Sequence, residues 1–319
     1  MKSIEPSTCV KARVGICVTT FKRPDLLRQL FVGLSQLTFD RMPTPEILVV
    51  IVDNDISRSA AEICDAAQLP WKAKYVVESR RGISQARNRA IREAEDPDYL
   101  VFIDDDEVPT PAWLDELLWA QSHFDSDVVC GPVIPRFATG VPEWVKTGRF
   151  FMRNTDTNGR PVEFCGSGNV LISREVINSI PSFDERFAFT GGEDTHFFLR
   201  VRRAGFSIVC SEGGVVYETI PASRASMRYL LRRAYQGGNS WVLCESSLDC
   251  RMSTRMSRIA KAGGRIVQGA LSACLSPVYG KAALAHALST LFVGVGMMAA
   301  LTGRNFQPYQ SAGTDTSQG

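Results

Sequence analysis

Tyr99-Leu100-Val101-Phe102-Ile103-Asp104-Asp105-Asp106-Glu107 is an unbroken apolar run that stops on four consecutive carboxylates. A run without polar alternation reads as a strand covered on both faces, as in a parallel sheet flanked by helices. Upstream the same design recurs. Val14-Gly15-Ile16-Cys17-Val18-Thr19-Thr20 is β-rich and ends in hydroxyls, and the apolar stretch 46–52 halts at Asp53-Asn54-Asp55. Between these runs lie helical patterns at 25–37 (Leu26, Leu27, Leu30 and Leu34 at helical spacing), 59–67 and 82–94, with a short strand at 74–77. A helix at 111–123 and a strand at 128–133 follow. Strands alternating with helices predict βαβ units and a mostly parallel α/β sheet. Ligands of such sheets bind beyond the carboxyl ends of the strands, which is where Thr19-Thr20, Asp53 and Asp104 to Glu107 fall. The second half reads as a strand at 166–172, a short helix at 174–179 and a helix at 193–204.

The composition fits a folded chain with a full core: 319 residues, 45% hydrophobic and 22% charged, with 36 basic and 34 acidic side chains. The net charge of +2 gives no call for nucleic acid. Nine scattered cysteines without a Cys-x-x-Cys pair exclude a zinc ribbon or thioredoxin motif and suit reduced thiols in the cytosol. Residues 1–10 hold no apolar signal core, so no cleavable leader is expected.

Asp104 and Asp106 lie two apart, so in extended chain both carboxylates project to one side. Two carboxylates that close need a cation or a proton between them. Hard oxygen ligands suit Mg²⁺ or Mn²⁺, which take phosphate oxygens as further ligands when the protein supplies only one or two carboxylates. The competing reading is an acidic N-cap cluster ahead of the helix at 111–123. Neither Gly-x4-Gly-Lys-Ser/Thr nor Gly-x-Gly-x-x-Gly follows the first strand. Phosphates would instead need metal charge, arginines or a helix N-terminus, and Arg80-Arg81-Gly82 ahead of the helix at 82–94 offers the last two. Arg87 and Arg89 on that helix are nucleotide contacts or ordinary surface charges.

Taken in order, several pieces carry a resemblance: Val18-Thr19-Thr20-Phe21-Lys22-Arg23-Pro24, Val52-Asp53-Asn54, and Gly82 with Ala86-Arg87-Asn88. Phe102-Ile103-Asp104-Asp105-Asp106, Gly166-Ser167-Gly168-Asn169 and Gly191-Gly192-Glu193-Asp194 complete the series. Over residues 13–241 the chain resembles the family 2 glycosyltransferases of GT-A fold, a Rossmann-like mixed sheet that binds nucleotide-diphospho-sugars. Bacterial exopolysaccharide transferases of the succinoglycan type are the nearest in pattern. The resemblance implies that Thr19 and Asp53 line the base and ribose pocket of a UDP-sugar and that Arg87 sits near the nucleotide. It further implies contacts to the nucleotide-sugar from Arg23, Asp105 and Gly168, a cation on Asp104 and Asp106, and Asp194 as the catalytic base. Glu193 beside Asp194 would raise its pKa by like-charge repulsion; alternatively the two form an acidic first turn favoured by the helix dipole.

Two departures stand out. Where many members carry a metal-binding histidine, Val215-Val216-Tyr217-Glu218 offers Glu218, a metal ligand or a solvated carboxylate. The Gln-x-x-Arg-Trp motif of processive members is absent from Gln236-Gly237-Gly238-Asn239-Ser240-Trp241, which favours transfer of a single sugar. His123, His196 and His286 lack metal-ligand spacing and read as packing or surface residues. Trp144, Phe150 and Phe151 either stack on an acceptor sugar or pack in the core. Gly166-Ser167-Gly168 is not a hydrolase elbow.

Between Ala222 and Arg265 nine basic residues face two acidic ones. Arg251, Arg255, Arg258 and Arg265 share a helical face with Met252, Met256, Ile259 and Ile266 beside them. This predicts either a basic amphipathic helix on an anionic membrane surface or a solvated helix packed on the catalytic domain. Residues 282–301 carry no charge, but their many small residues and His286 favour a monotopic hairpin or surface anchor over a full span; Gly296 and Ala300 form a small-xxx-small pair suited to helix packing. The expected organisation is an extension at 1–12, a GT-A domain at 13–245, membrane-associated helices at 246–305 and a disordered tail at 306–319. The expected activity is inverting, metal-dependent transfer of one sugar from a UDP-sugar donor to a lipid-linked saccharide acceptor at the cytoplasmic face of the inner membrane. The alternatives are a sugar-nucleotidyltransferase, which would want a glycine-rich loop where Phe21-Lys22-Arg23-Pro24 stands, and an inactive nucleotide-sugar-binding membrane scaffold. Nothing in the sequence sets an oligomeric state.

Overall fold

Strand register, more than any single side chain, gathers the polar strand ends. The computed structural model describes residues 11–153 and 158–306, so most of the expected N-terminal extension and of the tail lies outside the described residues. Strand β1 (Arg13–Thr20), helix α1 (Pro24–Ser35), β2 (Glu46–Asp53), α2 (Ala61–Ala66), β3 (Lys72–Val77), α3 (Ile83–Glu93) and β4 (Tyr99–Asp104) form successive βαβ units. β1 pairs in parallel with β2 and β4, which sets Thr20 against Asp53 and Thr19 against Asp104. All three strands therefore end at one edge.

Next come β5 (Glu107–Pro109), α4 (Trp113–Phe124), β6 (Val128–Cys130), β7 (Val133–Phe137) and α5 (Glu143–Thr147). β8 (Asn169–Ser173), α6 (Arg174–Ser179), α7 (Glu193–Arg203), β9 (Ile208–Cys210) and β10 (Val216–Ile220) complete the sheet-bearing part of the chain. The main sheet has the order β3-β2-β1-β4-β8-β6-β9, and β5-β10-β7 form a second, smaller sheet. β8 runs antiparallel to β4, with Ile103 opposite Asn169, so the loop preceding β8 brings Gly168 beside the acidic strand end. In the small sheet Glu218 lies opposite Glu107.

The continuous strand expected at 128–133 is instead two strands in different sheets. Pro132 supplies no backbone donor, and Gly131 passes so close to Gly214 that a Cβ would lie 2.0 Å from its carbonyl oxygen. The expected strand at 166–172 begins only at Asn169, leaving 166–168 as loop.

The alternation of β1 divides the core. Val14, Ile16 and Val18 face the cluster under α1 and α4, while Cys17 faces the cluster under α3 and α7. Leu27, Leu30 and Leu34 of α1 are fully buried, worth roughly 1.5–3 kcal/mol each. Asp115 on α4 accepts the backbone N–H groups of Asp40, Arg41 and Met42, each at 2.9 Å, and ties down the loop after α1.

Helices α8 (Met227–Leu248) and α9 (Met252–Leu301) end the described chain. α8 runs past position 245, where the catalytic unit was expected to end. α9 breaks at Gly280 (φ 82°), so its arms 252–279 and 281–301 fold back on each other as a hairpin. Glycines make the close approaches: a Cβ on Gly294 would lie 2.7 Å from Ala262 O, one on Gly238 2.1 Å from Val293 O, and one on Gly296 2.0 Å from Tyr235 O. The expected Gly296 contact is thus made with α8. Arg258 departs from the expected basic face: it is buried, donating to Glu245 Oε2 (3.2 Å), Ser246 Oγ (3.1 Å) and Asp249 O (3.1 Å). Met252, Met256, Ile259, Val267, Leu271, Leu275, Val278 and Tyr279 remain exposed along the outer arm. The segment Val278–Leu301 is long and apolar enough to cross a membrane by length and composition, and 33% of its most apolar window is buried within the protein.

Gly296→Leu should cost about 3 kcal/mol or more by overpacking this crossing. Gly264→Ala, at a helical site with nothing within 4 Å, should be neutral or stabilising by up to about 1 kcal/mol. Thermal unfolding of the purified variants checks both.

Candidate active site

Beyond the carboxyl ends of β1 and β4 opens a cavity of about 460 Å³. Its floor carries Thr19, Thr20, Asp104, Asp105 and Asp106, and Arg87 and Glu193 form one wall.

Arg87 connects the two acidic motifs. From α3 its Nη1 donates to Glu193 Oε1 at the start of α7, and its Nη2 reaches Asp104 Oδ1 at the end of β4 (3.5 Å). Burial works against the guanidinium charge, but Glu193, Asp104 and Asp194 more than offset it and hold its pKa above the usual value. Burial pushes Glu193 up to about 7, opposed by Arg87 and reinforced by Asp194. Neighbouring Asn88 fixes α3 to the loop before α7 through Phe183, whose N–H donates at 2.7 Å and whose carbonyl accepts at 2.9 Å.

Asp105 is buried. Its Oδ2 accepts from Thr20 Oγ1 (2.7 Å) and its Oδ1 from Arg23 (3.2 Å), while burial raises its pKa to about 6 against the pull of that arginine. Asp106 Oδ2 accepts from Arg224 (3.3 Å) and Arg23 (3.5 Å). Asp104 Oδ2 and Asp106 Oδ1 have no hydrogen-bond donor among the described residues. Gly168 keeps space open before the first of these: a Cβ there would lie 2.8 Å from Asp104 Oδ2 and 2.7 Å from Glu107 Oε1.

These open carboxylate oxygens suit a hard divalent cation. Among the described residues no three His, Cys, Asp or Glu side chains form a metal cage, so the protein would supply one or two ligands and a diphosphate the others. Glu218 is placed differently from expectation. Its Oε2 accepts from Arg153 (2.8 Å) and its Oε1 from Arg224 (3.1 Å), so both oxygens serve guanidinium groups rather than standing open to a metal.

Two further expectations need correction or refinement. Asp53 is fully buried and does not line the cavity. Its Oδ2 accepts from Ala60 N (2.8 Å) and Tyr75 Oη (3.0 Å), and its Oδ1 from Asp55 N (3.0 Å), so it shapes the loop after β2. The adjacent Asn54 does line the cavity; it receives Gly82 N–H (2.9 Å) and donates to the carbonyls of Glu78 and Arg80 (2.8 Å each). Asp194, expected as the catalytic base, is not among the lining residues either; it follows the cavity-lining Glu193 at the start of α7. Its Oδ1 accepts the N–H of Thr195 (2.6 Å), and its Oδ2 lies 3.7 Å from where a Gly166 Cβ would be.

Arg81, offered by the sequence as a phosphate partner, lines the cavity and stacks on Phe21 with its guanidinium 3.8 Å from the ring centre. Phe151, read as an acceptor-stacking or core residue, lines it too. Sequence reasoning missed Arg153, Arg224, Tyr229 and Arg233 as lining groups. Trp144 and Phe150 pack edge-on, and His286 stacks on Phe150 and bonds Gly148 O at 2.8 Å.

The family model for "Glycosyl transferase family 2" matches residues 15–180, and that for "Glycosyl transferase family group 2" matches 99–303. The succinoglycan biosynthesis protein ExoM of Rhizobium meliloti is 28% identical over 241 residues, covering 74% of this chain and 75% of that protein. The hyaluronan synthase of Pasteurella multocida is 24% identical over 66% of this chain, and the chain spans only 25% of that larger protein. Among solved structures, a mannosyltransferase from Pyrobaculum calidifontis superposes with a TM-score of 0.56 at 16% identity, covering 96% of this chain and 80% of that one. S. aureus TarS 1-349 gives 0.50 at 16% identity, covering 92% and 93%.

Since burial raises the Asp105 pKa to about 6, the folded state favours its protonated form. The stability this contributes is complete below the unfolded pKa of about 4 and is lost as pH rises through 6. Asp105→Asn should therefore show a smaller drop in Tm between pH 5 and pH 7.5 than the parent, measured by calorimetry in chelator.

Proposed function

The chain belongs to the family 2 glycosyltransferases, has their GT-A fold and is a glycosyltransferase, and we propose that it moves one sugar from a UDP-sugar to a lipid-linked saccharide with inversion. The observation that carries this reading is the Arg87 bridge, which sets the Asp104 strand end and the Glu193-Asp194 helix start around one cavity. The likeness to a succinoglycan biosynthesis protein supports a role in bacterial polysaccharide assembly.

In this reading the nucleoside lies toward Phe21, Asn54 and Arg81, and Thr19, Arg23 and Asp105 shape that end of the floor. Asp104 and Asp106 would hold Mg²⁺ or Mn²⁺; Mn²⁺ is named with the Pyrobaculum mannosyltransferase. A divalent cation bound there supplies positive charge to the departing diphosphate. The chain's own residues do the rest. Arg87 presents a fixed guanidinium beside Asp104, placed where charge grows on the leaving group. Asp194 takes the proton of the acceptor hydroxyl through its open Oδ2 as that oxygen attacks the anomeric carbon from the face opposite the diphosphate. Gly166 and Gly168 place no side chains beside the Asp194 and Asp104 carboxylates. Glu193 positions Arg87, and Glu218 positions Arg153 and Arg224.

Membrane association is part of the same reading. The exposed apolar stripe of the outer α9 arm, with Arg255, Lys261 and Arg265 also exposed, suits a monotopic contact with an anionic cytoplasmic surface.

Asp194→Asn should lower transfer by about 10²–10⁴-fold while UDP affinity stays within a few-fold; normal transfer by this variant removes Asp194 as the base. Asp106→Ala should weaken UDP binding in Mn²⁺ and have little effect in chelator, which titration calorimetry reads directly. A donor screen measuring nucleotide release from UDP-sugars and GDP-mannose tests the nucleotide assignment.

A further inference from the structure

The cavity carries more positive charge than the donor reading uses. Next to Asp106, which Arg224 reaches at 3.3 Å, it is also lined by Phe151, Arg153, Glu218, Tyr229 and Arg233. Arg153 and Arg224 share Glu218, at 2.8 and 3.1 Å. The other carboxylate reached by Arg153 is the buried Glu107 (3.2 Å). Three guanidinium groups thus line this end beside two carboxylates, Glu107 and Glu218, with Asp106 shared between Arg224 and Arg23.

Two donors at this end lack acceptors. Arg233 is exposed on the wall and makes no ion pair or hydrogen bond with any described residue; its guanidinium lies 5.4 Å from the Phe151 ring centre. Arg153 Nε is buried with no hydrogen-bond partner among the described residues, although buried N–H groups are nearly always paired. Planar forks held this way suit the tetrahedral oxygens of a phosphate.

We propose that Arg153, Arg224 and Arg233 form a phosphate-binding subsite for the acceptor, separate from the donor diphosphate. This rests on the transferase reading of the cavity and adds to it the chemistry of the second substrate. The position favours a phosphate carried on a lipid. Arg233 and Tyr229 belong to α8, and one and a half turns further on Gly238 of the same helix packs on Val293 of the apolar α9 hairpin. A saccharide at the reacting centre, its phosphate at Arg233 and its hydrocarbon along α8 toward the hairpin make one continuous path.

The test uses the full chain saturated with UDP and Mn²⁺, titrated calorimetrically with geranyl diphosphate, inorganic pyrophosphate and geraniol. Geranyl diphosphate should bind without displacing UDP. Arg233→Gln should weaken it by about tenfold or more, the size expected for a lost charge-assisted pair, while UDP affinity stays within twofold. Arg233→Lys should recover part of the loss, and Arg232→Gln, one residue along the helix, should change neither. Tighter binding of the geranyl ester than of pyrophosphate supports the lipid source; equal binding keeps the phosphate subsite and overturns the lipid. Displacement of UDP by geranyl diphosphate, an equal loss of UDP affinity in Arg233→Gln, or no diphosphate binding at all overturns the subsite. A parent protein that binds geranyl diphosphate alone but no nucleotide overturns the transferase reading instead, so the two failures are distinguishable.

Discussion

The site turns on keeping one arginine charged inside the protein. Burying a guanidinium costs several kcal/mol unless carboxylates surround it, and Arg87 meets that cost with Glu193 and Asp104. Arg87 and its two partners come from three separate parts of the chain, α3, β4 and the start of α7. Their meeting therefore fixes the relative placement of the nucleotide-facing helix, the acidic strand end and the helix that carries Asp194. A change that neutralised any member would leave a buried charge unmatched, so the three elements cannot drift independently. The bonds between Asn88 and Phe183 reinforce the same junction with neutral groups.

Around that junction the carboxylates outnumber what the protein itself satisfies. Asp105 and Glu107 are buried and raised in pKa, while Asp104 and Asp106 each keep one oxygen without a donor among the described residues. A site arranged in this way is electrostatically incomplete, and a divalent cation held by Asp104 and Asp106 would relieve the repulsion. Glu218 would add to the crowding, but Arg153 and Arg224 absorb it. At Glu218 this chain installs an acid together with its own counter-ions, and with Arg233 beside them this part of the cavity becomes cationic.

Much of this was legible in the sequence. The parallel strands, the helices between them and the acidic edge followed from apolar periods and their endpoints, because strands buried on both faces write themselves as unbroken hydrophobic runs. The small sheet was not legible: β5 and β7 have three and five residues and both contain proline, and their pairing with β10 depends on tertiary placement. Arg153 was hidden for the same reason, since it belongs to no motif and acts only because β10 brings Glu218 to it. Asp53 was read as a cavity residue because nothing in the sequence announces the donors that saturate it, the N–H of Ala60 and the hydroxyl of Tyr75. The basic excess between Ala222 and Arg265 was visible, but a charge count cannot tell inward from outward. Arg224 and Arg233 turn to the cavity, and Arg258 turns into the helical packing.

That division of the basic stretch makes α8 the link between the cavity and the α9 hairpin. Its first turns deliver Tyr229 and Arg233 to the cavity wall, and its middle presents Gly238 to the backbone of the α9 hairpin. Backbone-to-backbone contact at glycine leaves no flexible side chain to absorb a shift, so a displacement of the hairpin is passed to α8 nearly undiminished. Asn239 strengthens the crossing by donating to Gly296 O (3.2 Å) and Arg304 O (2.8 Å). At the far side of the same helix, Ser240 donates to Thr190 O (3.3 Å) and Cys244 to Gly192 O (3.1 Å), the residue immediately before Glu193. The hairpin, the acceptor wall and the helix carrying Asp194 are thus joined through α8, and an enzyme whose acceptor arrives along the hairpin would need its reacting groups held in register with that path.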